Sequence, residues 1–151
     1  MDTPEVIFAR AAERARQMTL PYAGALTPAE AYALVQRVPG AKIVDVRTKA
    51  EWDWVGHVPG SVHVEWNSYP GGARNSHFAE QLQWQVAKSD APVMFLCRSG
   101  GRSHDAAAAA AVLGYPATFN ILEGFEGAKD AAGHRGTVGG WKVAGLPWEQ
   151  G

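Results

Sequence analysis

The residues with the most chemistry in them are Cys97-Arg98-Ser99-Gly100-Gly101-Arg102-Ser103, which follow the apolar run Val93 to Leu96 and precede six alanines, Ala106 to Ala111. That order reads as a strand, a short loop of small residues, and a helix. In such a loop several backbone N–H groups can turn inward, and the helix start adds unpaired donors and the positive end of its dipole. The centre of the loop wants an anion. Thiols at helix N-termini beside arginines ionise more readily than free cysteine and act as nucleophiles near neutral pH. Arg98 and Arg102 bracket the loop and keep their protons. A lone cysteine ending an apolar strand also fits the role of a small buried hydrophobe. The tight Gly100-Gly101 pair, the two arginines, and Ser103 as a good N-cap for a helix beginning near it favour Cys97 as a catalytic nucleophile.

Composition narrows the setting. A chain of 151 residues with 46% hydrophobic and 19% charged residues has the make-up of one globular domain with a real core. Fourteen basic and 15 acidic side chains nearly cancel, which argues against nucleic acid or an anionic membrane as partner, so anion recognition must be local. A single cysteine excludes an intrachain disulfide and a Cys-rich zinc site, and it suits a reducing, cytoplasmic compartment. The five histidines have no ligand spacing, so neither a metal nor another cofactor is expected. Asp2 and Glu5 near the start do not resemble a secretion signal, and no segment reaches the ~20 apolar residues of a membrane helix.

The elements that must position the loop can be read in order. Thr3-Pro4-Glu5, followed by Ile7, Ala11, Ala15 and Met18 at helical spacing, predicts an N-terminal helical extension over residues 1–19 whose apolar face packs on the domain, with a partner or second copy as the alternative cover. Thr27-Pro28-Ala29-Glu30 and Thr48-Lys49-Ala50-Glu51 are capping boxes, each opening a helix. Strands are predicted at Lys42 to Val46, Ser61 to Val64, Val93 to Cys97 and Thr118 to Leu122. His77 to Lys88 reads as a helix capped by Ser76, with Phe78, Leu82 and Val86 on one face. Alternating strands and helices imply an α/β fold with a central parallel sheet and helices on both faces. Sites in such sheets lie at the carboxyl ends of strands, where Arg47, the loop after Cys97 and the stretch after Leu122 all fall.

With those residues in view, the sequence resembles the rhodanese (sulfurtransferase) family, as a single-domain member. Cys97-Arg98-Ser99-Gly100-Gly101-Arg102 is similar to the family's six-residue active-site loop. Asp45-Val46-Arg47, Glu51 and Gly56-His57-Val58-Pro59-Gly60-Ser61 resemble its first signature, and Gly139 to Pro147 its closing segment. The likeness spans roughly residues 20 to 147, within a domain placed at 20–151. It departs from the simple pattern at about 126–138, an insertion carrying Lys129, His134 and Arg135 that could cap the active site and supply acceptor or substrate contacts or be a surface loop, the surface loop being favoured because chains tolerate added loop length cheaply.

The resemblance implies a three-layer rhodanese-like domain and sulfur transfer. Cys97 would attack a donor such as thiosulfate, carry the sulfur as a persulfide without any cofactor, and pass it to a thiol or cyanide acceptor, with a sulfur-acceptor protein as a further candidate partner. Amides from Arg98 to Ser103 would hold the anionic outer sulfur, including those of Ser99, Gly100 and Gly101. Arg98 and Arg102 would bind the donor, with a solvated surface charge as the alternative for Arg98 and a structural salt bridge inside the fold for Arg102, and Arg98 leans toward thiosulfate over mercaptopyruvate. Asp45, Arg47 and Glu51 read as supports for the site and His57 as a shaper of its turn. The six tryptophans read as core and rim. Phosphatase or arsenate reductase chemistry needs Cys-x5-Arg, whereas four residues separate Cys97 from Arg102, a ring too tight for a phosphoryl group. A non-catalytic rhodanese-like module that binds or senses through Cys97 is the rival from another class. Oligomeric state is not legible.

Overall fold

The computed structural model describes residues 2–151. In chain order the elements are α1 (Pro4–Met18), β1 (Gly24–Leu26), α2 (Pro28–Arg37), β2 (Lys42–Asp45), α3 (Lys49–Trp54), β3 (Val62–His63), α4 (Phe78–Gln85), β4 (Val93–Leu96), α5 (Gly101–Val112) and β5 (Thr118–Ile121). The five strands form one parallel sheet in the order β1-β5-β4-β2-β3.

The strands' period of two sorts side chains to two cores. Val44, Val46, Val93, Phe95 and Cys97 face Phe78 and Leu82 of α4 and the fully buried Ala106, Ala107 and Ala110 of α5. Ile43, Met94, Leu96, Phe119 and Ile121 face Ile7 and Ala11 of α1, Ala31 and Leu34 of α2, and Trp141. The sheet is thus covered on both sides, as the alternating pattern predicts. The alanines let α5 lie close on the sheet, which fixes the start of this helix behind β4.

Both capping boxes are present, at Thr27 with Glu30 and at Thr48 with Glu51. Thr3 caps α1, which packs so closely on β1 that a Cβ on Gly24 would lie 2.7 Å from the Ala11 carbonyl oxygen. Burial of Ile7 there contributes about 1.5–3 kcal/mol. Glu30 of α2 receives Arg10 at 2.7 Å and Arg14 at 2.6 Å, and Arg14 also donates to the Ala25 carbonyl at 2.9 Å. Burial alone would push the Glu30 carboxyl up; hydrogen bonds from Arg14, the Thr27 amide and Arg10 outweigh it and hold the group at about 2.

Several expectations need correction. The edge strand β1 was not foreseen, because Gly-Ala-Leu carries little β propensity and gains its place by pairing with β5. Helix α4 runs only from Phe78 to Gln85, and no side chain caps it: the cap position belongs to His77, not Ser76. Helix α5 begins at Gly101 with Gly100 as its cap residue, so Ser103 lies inside the first turn rather than capping it. Met18 is exposed rather than packed. Trp141 and Trp66 are buried, but Trp84 is 90% exposed and belongs to neither core nor rim.

Candidate active site

Cys97 follows the last residue of β4, on the face that α5 covers. Its Sγ accepts a hydrogen bond from the Gly100 N–H at 3.1 Å and shares one with Ser103 Oγ at 3.2 Å. Ser103 Oγ donates to Asn120 Oδ1 at 2.6 Å, and Asn120 Nδ2 donates to the Gly100 carbonyl at 3.2 Å. Since the serine hydrogen is spent on Asn120, the sulfhydryl is the donor to Ser103 in this arrangement. Of the amides expected to converge on the sulfur between Arg98 and Ser103, one does so, that of Gly100. The second polar group on the sulfur is the Ser103 hydroxyl, a side chain rather than an amide. Gly100 reaches its position with φ of 113°, in the left-handed region that glycine allows. Cys97 is 1% exposed. Ser99 is exposed, and a Cβ on Gly101 would meet nothing within 4 Å, so no other element crowds the outside of the loop.

A second backbone segment pins the loop from beneath. The Phe125 N–H donates to the Cys97 carbonyl at 2.8 Å, and those of Glu126 and Gly127 to the Arg98 carbonyl at 3.0 and 3.2 Å. Gly124, at φ of 66°, lies so close that a Cβ would sit 2.5 Å from the Cys97 carbonyl oxygen. No other residue fits there.

The supporting residues form two separate ion pairs. Asp45 and Arg47 are fully buried; Arg47 donates to Asp45 Oδ2 at 2.6 Å and to the Gly56 carbonyl at 2.6 Å. Its Nη1 finds no polar partner among the described residues, and the guanidinium carbon lies 4.3 Å from the Phe125 ring centre. Glu51 and Arg102 make the other pair, at 2.7 and 2.9 Å. Burial would raise the Glu51 carboxyl, but the Arg102 hydrogen bonds and charge, with Thr48's amide and hydroxyl, hold it at about 2. The Glu51 hydrogen bond also raises the Arg102 guanidinium above its ordinary value. His57 stacks on Trp52 at 4.1 Å, pairs with Glu149 at 3.2 Å, and lies outside the cleft described next.

An open cleft of about 1160 Å³ lies against the loop, lined on the loop side by Arg98 and Arg102. Glu51, Trp54, Tyr69, Lys129, His134 and Arg135 also line it. Most of the 126–138 segment is exposed, and its Lys129, His134 and Arg135 line the cleft. Cys97 itself is not part of the lining. Among the described residues no carboxylate pairs with the Arg98 guanidinium.

Sequence reasoning missed Asn120, although a lone amide inside the apolar run Thr118 to Ile121 was a usable signal. Register makes the link: Asn120 pairs with Phe95, so its side chain shares the face of Cys97 and reaches Ser103. Tyr69 and Trp54 as cleft walls had no signal beyond being aromatic.

The family model described as a rhodanese-like domain matches residues 27–131. The uncharacterized protein RP600 of Rickettsia prowazekii is 36% identical over 123 residues, covering 80% of this chain and 92% of the relative. The thiosulfate sulfurtransferase GlpE of Pseudomonas entomophila is 32% identical over 101 residues, 67% of this chain and 80% of the relative. Among solved structures, the crystal structure of Rv0390 from M. tuberculosis superposes with a TM-score of 0.80 at 43% identity, covering 86% of this chain and 99% of the other.

Proposed function

The chain belongs to the rhodanese-like domain family, and from that premise we propose that it is a sulfurtransferase working through a Cys97 persulfide. The observation that carries this reading is the convergence of the Gly100 N–H and the Ser103 hydroxyl on one sulfur at the start of α5, beside an unpaired Arg98. The Cys97 thiolate attacks the outer sulfur of thiosulfate, that sulfur's bond to the sulfite group breaks, and sulfite leaves with the electron pair. The anionic persulfide that remains is stabilised by the Gly100 amide and the α5 dipole. An acceptor thiol or cyanide then removes the outer sulfur, in a ping-pong cycle.

Two observations favour this donor. Arg98 brings a positive charge to the cleft without a carboxylate to neutralise it, which suits a dianion. The Pseudomonas entomophila relative bears the name of a thiosulfate sulfurtransferase. Arg102 is committed to Glu51, so its part is to fix the loop and add charge, with Arg98 left to meet the donor. That same commitment, together with the Cys-x4-Arg spacing, disfavours phosphoryl transfer, and p-nitrophenyl phosphate should be turned over no faster by the native protein than by Cys97→Ser.

The 1% exposure of Cys97 favours a second reading, a binding module whose thiol stays unmodified. Intact mass after incubation with thiosulfate separates the two. Gain of one sulfur atom, absent in Cys97→Ser, is the expected result; an unchanged mass leaves only binding.

A further inference from the structure

One buried hydroxyl in the core that holds Cys97 comes from the start of the chain. Tyr22 stands between α1 and β1, ahead of the residues 27–131 that carry the family likeness, and packs in the same cluster as Phe95, Cys97 and Ala106. Its place is fixed on both sides. Thr19, at φ of 54°, ends α1; the Leu20 amide donates to the Ala15 carbonyl at 2.9 Å, and the Ala23 amide to the Thr118 carbonyl of β5 at 3.0 Å.

The Tyr22 hydroxyl shares a hydrogen bond with His104 Nδ1 at 2.7 Å, the two rings meeting edge to face with centres 5.3 Å apart. The Asn120 side chain faces the same hydroxyl. Burial pushes the Tyr22 hydroxyl up to about 12, a hydrogen bond from Asn120 opposes that rise, and the Asp105 charge adds to it. Asn120 Nδ2 carries two hydrogens, so it serves the Gly100 carbonyl and the Tyr22 oxygen together, which leaves the tyrosine proton for His104.

Two routes therefore lead from this hydroxyl to the sulfur. Through Asn120 it orients the amide whose Oδ1 takes the Ser103 hydroxyl at 2.6 Å, and Ser103 Oγ lies 3.2 Å from Cys97 Sγ. Through His104 it holds the residue whose backbone N–H donates to the Gly100 carbonyl at 3.2 Å, and the Gly100 N–H is the amide on the sulfur, at 3.1 Å. Asn120 and His104 share the Gly100 carbonyl, and Tyr22 bridges their side chains. Tyr115 of the same cluster makes no such bridge: its hydroxyl goes to the carbonyl of Val86, at the end of α4, at 2.5 Å.

We propose that Tyr22 is a positioning residue for the Cys97 loop, acting through Asn120 and His104 together to hold the Gly100 amide and the Ser103 hydroxyl in place for sulfur uptake. The inference rests on the sulfur-transfer reading above. It makes the segment between α1 and β1 part of the working site, although no residue of that segment lines the cleft.

Tyr22→Phe removes the hydroxyl and keeps the ring. Single-turnover loading, followed by mass over a range of thiosulfate concentrations, gives a limiting rate and a half-saturating concentration. Arg98, which meets the donor, is untouched, so the half-saturating concentration should stay within about twofold while the limiting rate falls about fivefold, the size of one lost hydrogen bond. His104→Ala should do the same, and His104→Asn, whose Oδ1 can still accept from the tyrosine, should load close to the native rate. Tyr115→Phe is the control: it also loses a buried hydroxyl, so its melting temperature should drop while its limiting rate keeps the native value. A native limiting rate in Tyr22→Phe overturns the proposal and leaves sulfur transfer standing.

A second readout does not depend on loading. Hydrogen exchange of the Gly100 amide should quicken about fivefold in Tyr22→Phe and stay native in Tyr115→Phe. If the native protein fails to load, the sulfur-transfer reading falls and this exchange decides whether Tyr22 holds the loop, native protection in Tyr22→Phe overturning that as well. Should Tyr22→Phe not fold, His104→Ala carries both readouts.

Discussion

Arg102 of α5 and Glu51 of α3 meet through two hydrogen bonds, at 2.7 and 2.9 Å, across 51 positions of sequence. The pair ties the first turn of the loop's helix to α3, both residues line the cleft, and the pair is four-fifths shielded from water. Glu51→Gln leaves the guanidinium without its counter-charge and should cost about 1–3 kcal/mol in urea unfolding at pH 7. Sulfur loading should slow as well, since the loop loses its strut.

The same pair sets an acid limit. The Glu51 carboxyl sits at about 2 in the folded protein against an ordinary 4.5, and Glu30 behaves alike. Above 4.5 both are ionised whether folded or not, and their stabilisation is complete. Between 4.5 and 2 the unfolded chain takes up protons first, so stability falls with pH. Thermal unfolding followed from pH 7 to pH 2.5 should show this decline, and Glu51→Gln and Glu30→Gln should each flatten it.

Asn120 is satisfied on both sides, by the Ser103 hydroxyl and the Gly100 carbonyl. Asn120→Ala removes both contacts in a buried position and should destabilise by about 1–3 kcal/mol. It should also slow persulfide formation more than the equally buried Phe119→Leu, measured by mass after brief thiosulfate exposure. Equal rates for the two variants would show that Asn120 does not position the sulfur's partners.

Gly124 faces two obstacles to substitution, its positive φ and its contact with the Cys97 carbonyl. Gly124→Ala should lower stability by about 2 kcal/mol or more and displace the Phe125 amide from that carbonyl. Hydrogen exchange at Phe125 would report the displacement; native protection in the variant would contradict it.

Much of this molecule was legible from local rules. The two capping boxes announce themselves because both of their contacts lie within four residues. The apolar runs of β2, β4 and β5 place the site at their carboxyl ends. What escaped depends on contacts remote in sequence. Strand β1 is a strand because β5 lies beside it, and Ser103 leaves the cap position because Asn120, 17 residues on, draws its hydroxyl inward. For Arg102 the sequence left open a salt bridge or a sulfur donor, since Glu51 and a donor are both anions and only distance chooses between them. The sequence left Cys97 between a buried hydrophobe and a nucleophile; its near-complete burial comes from α5 lying on that face of β4.

The 126–138 segment hangs from fixed points at both ends. The amides of Glu126 and Gly127 hold the Arg98 carbonyl, while at the far end the Gly140 N–H donates to Glu123 at 2.9 Å and the Trp141 N–H to the Gly124 carbonyl at 2.8 Å. Between those anchors residues 128–138 are mostly exposed, so exchanges there leave the fixed points in place. A stretch of different charge between residues 128 and 138 would change the charge lining the cleft while the Glu126 and Gly127 amides keep their hold on the Arg98 carbonyl.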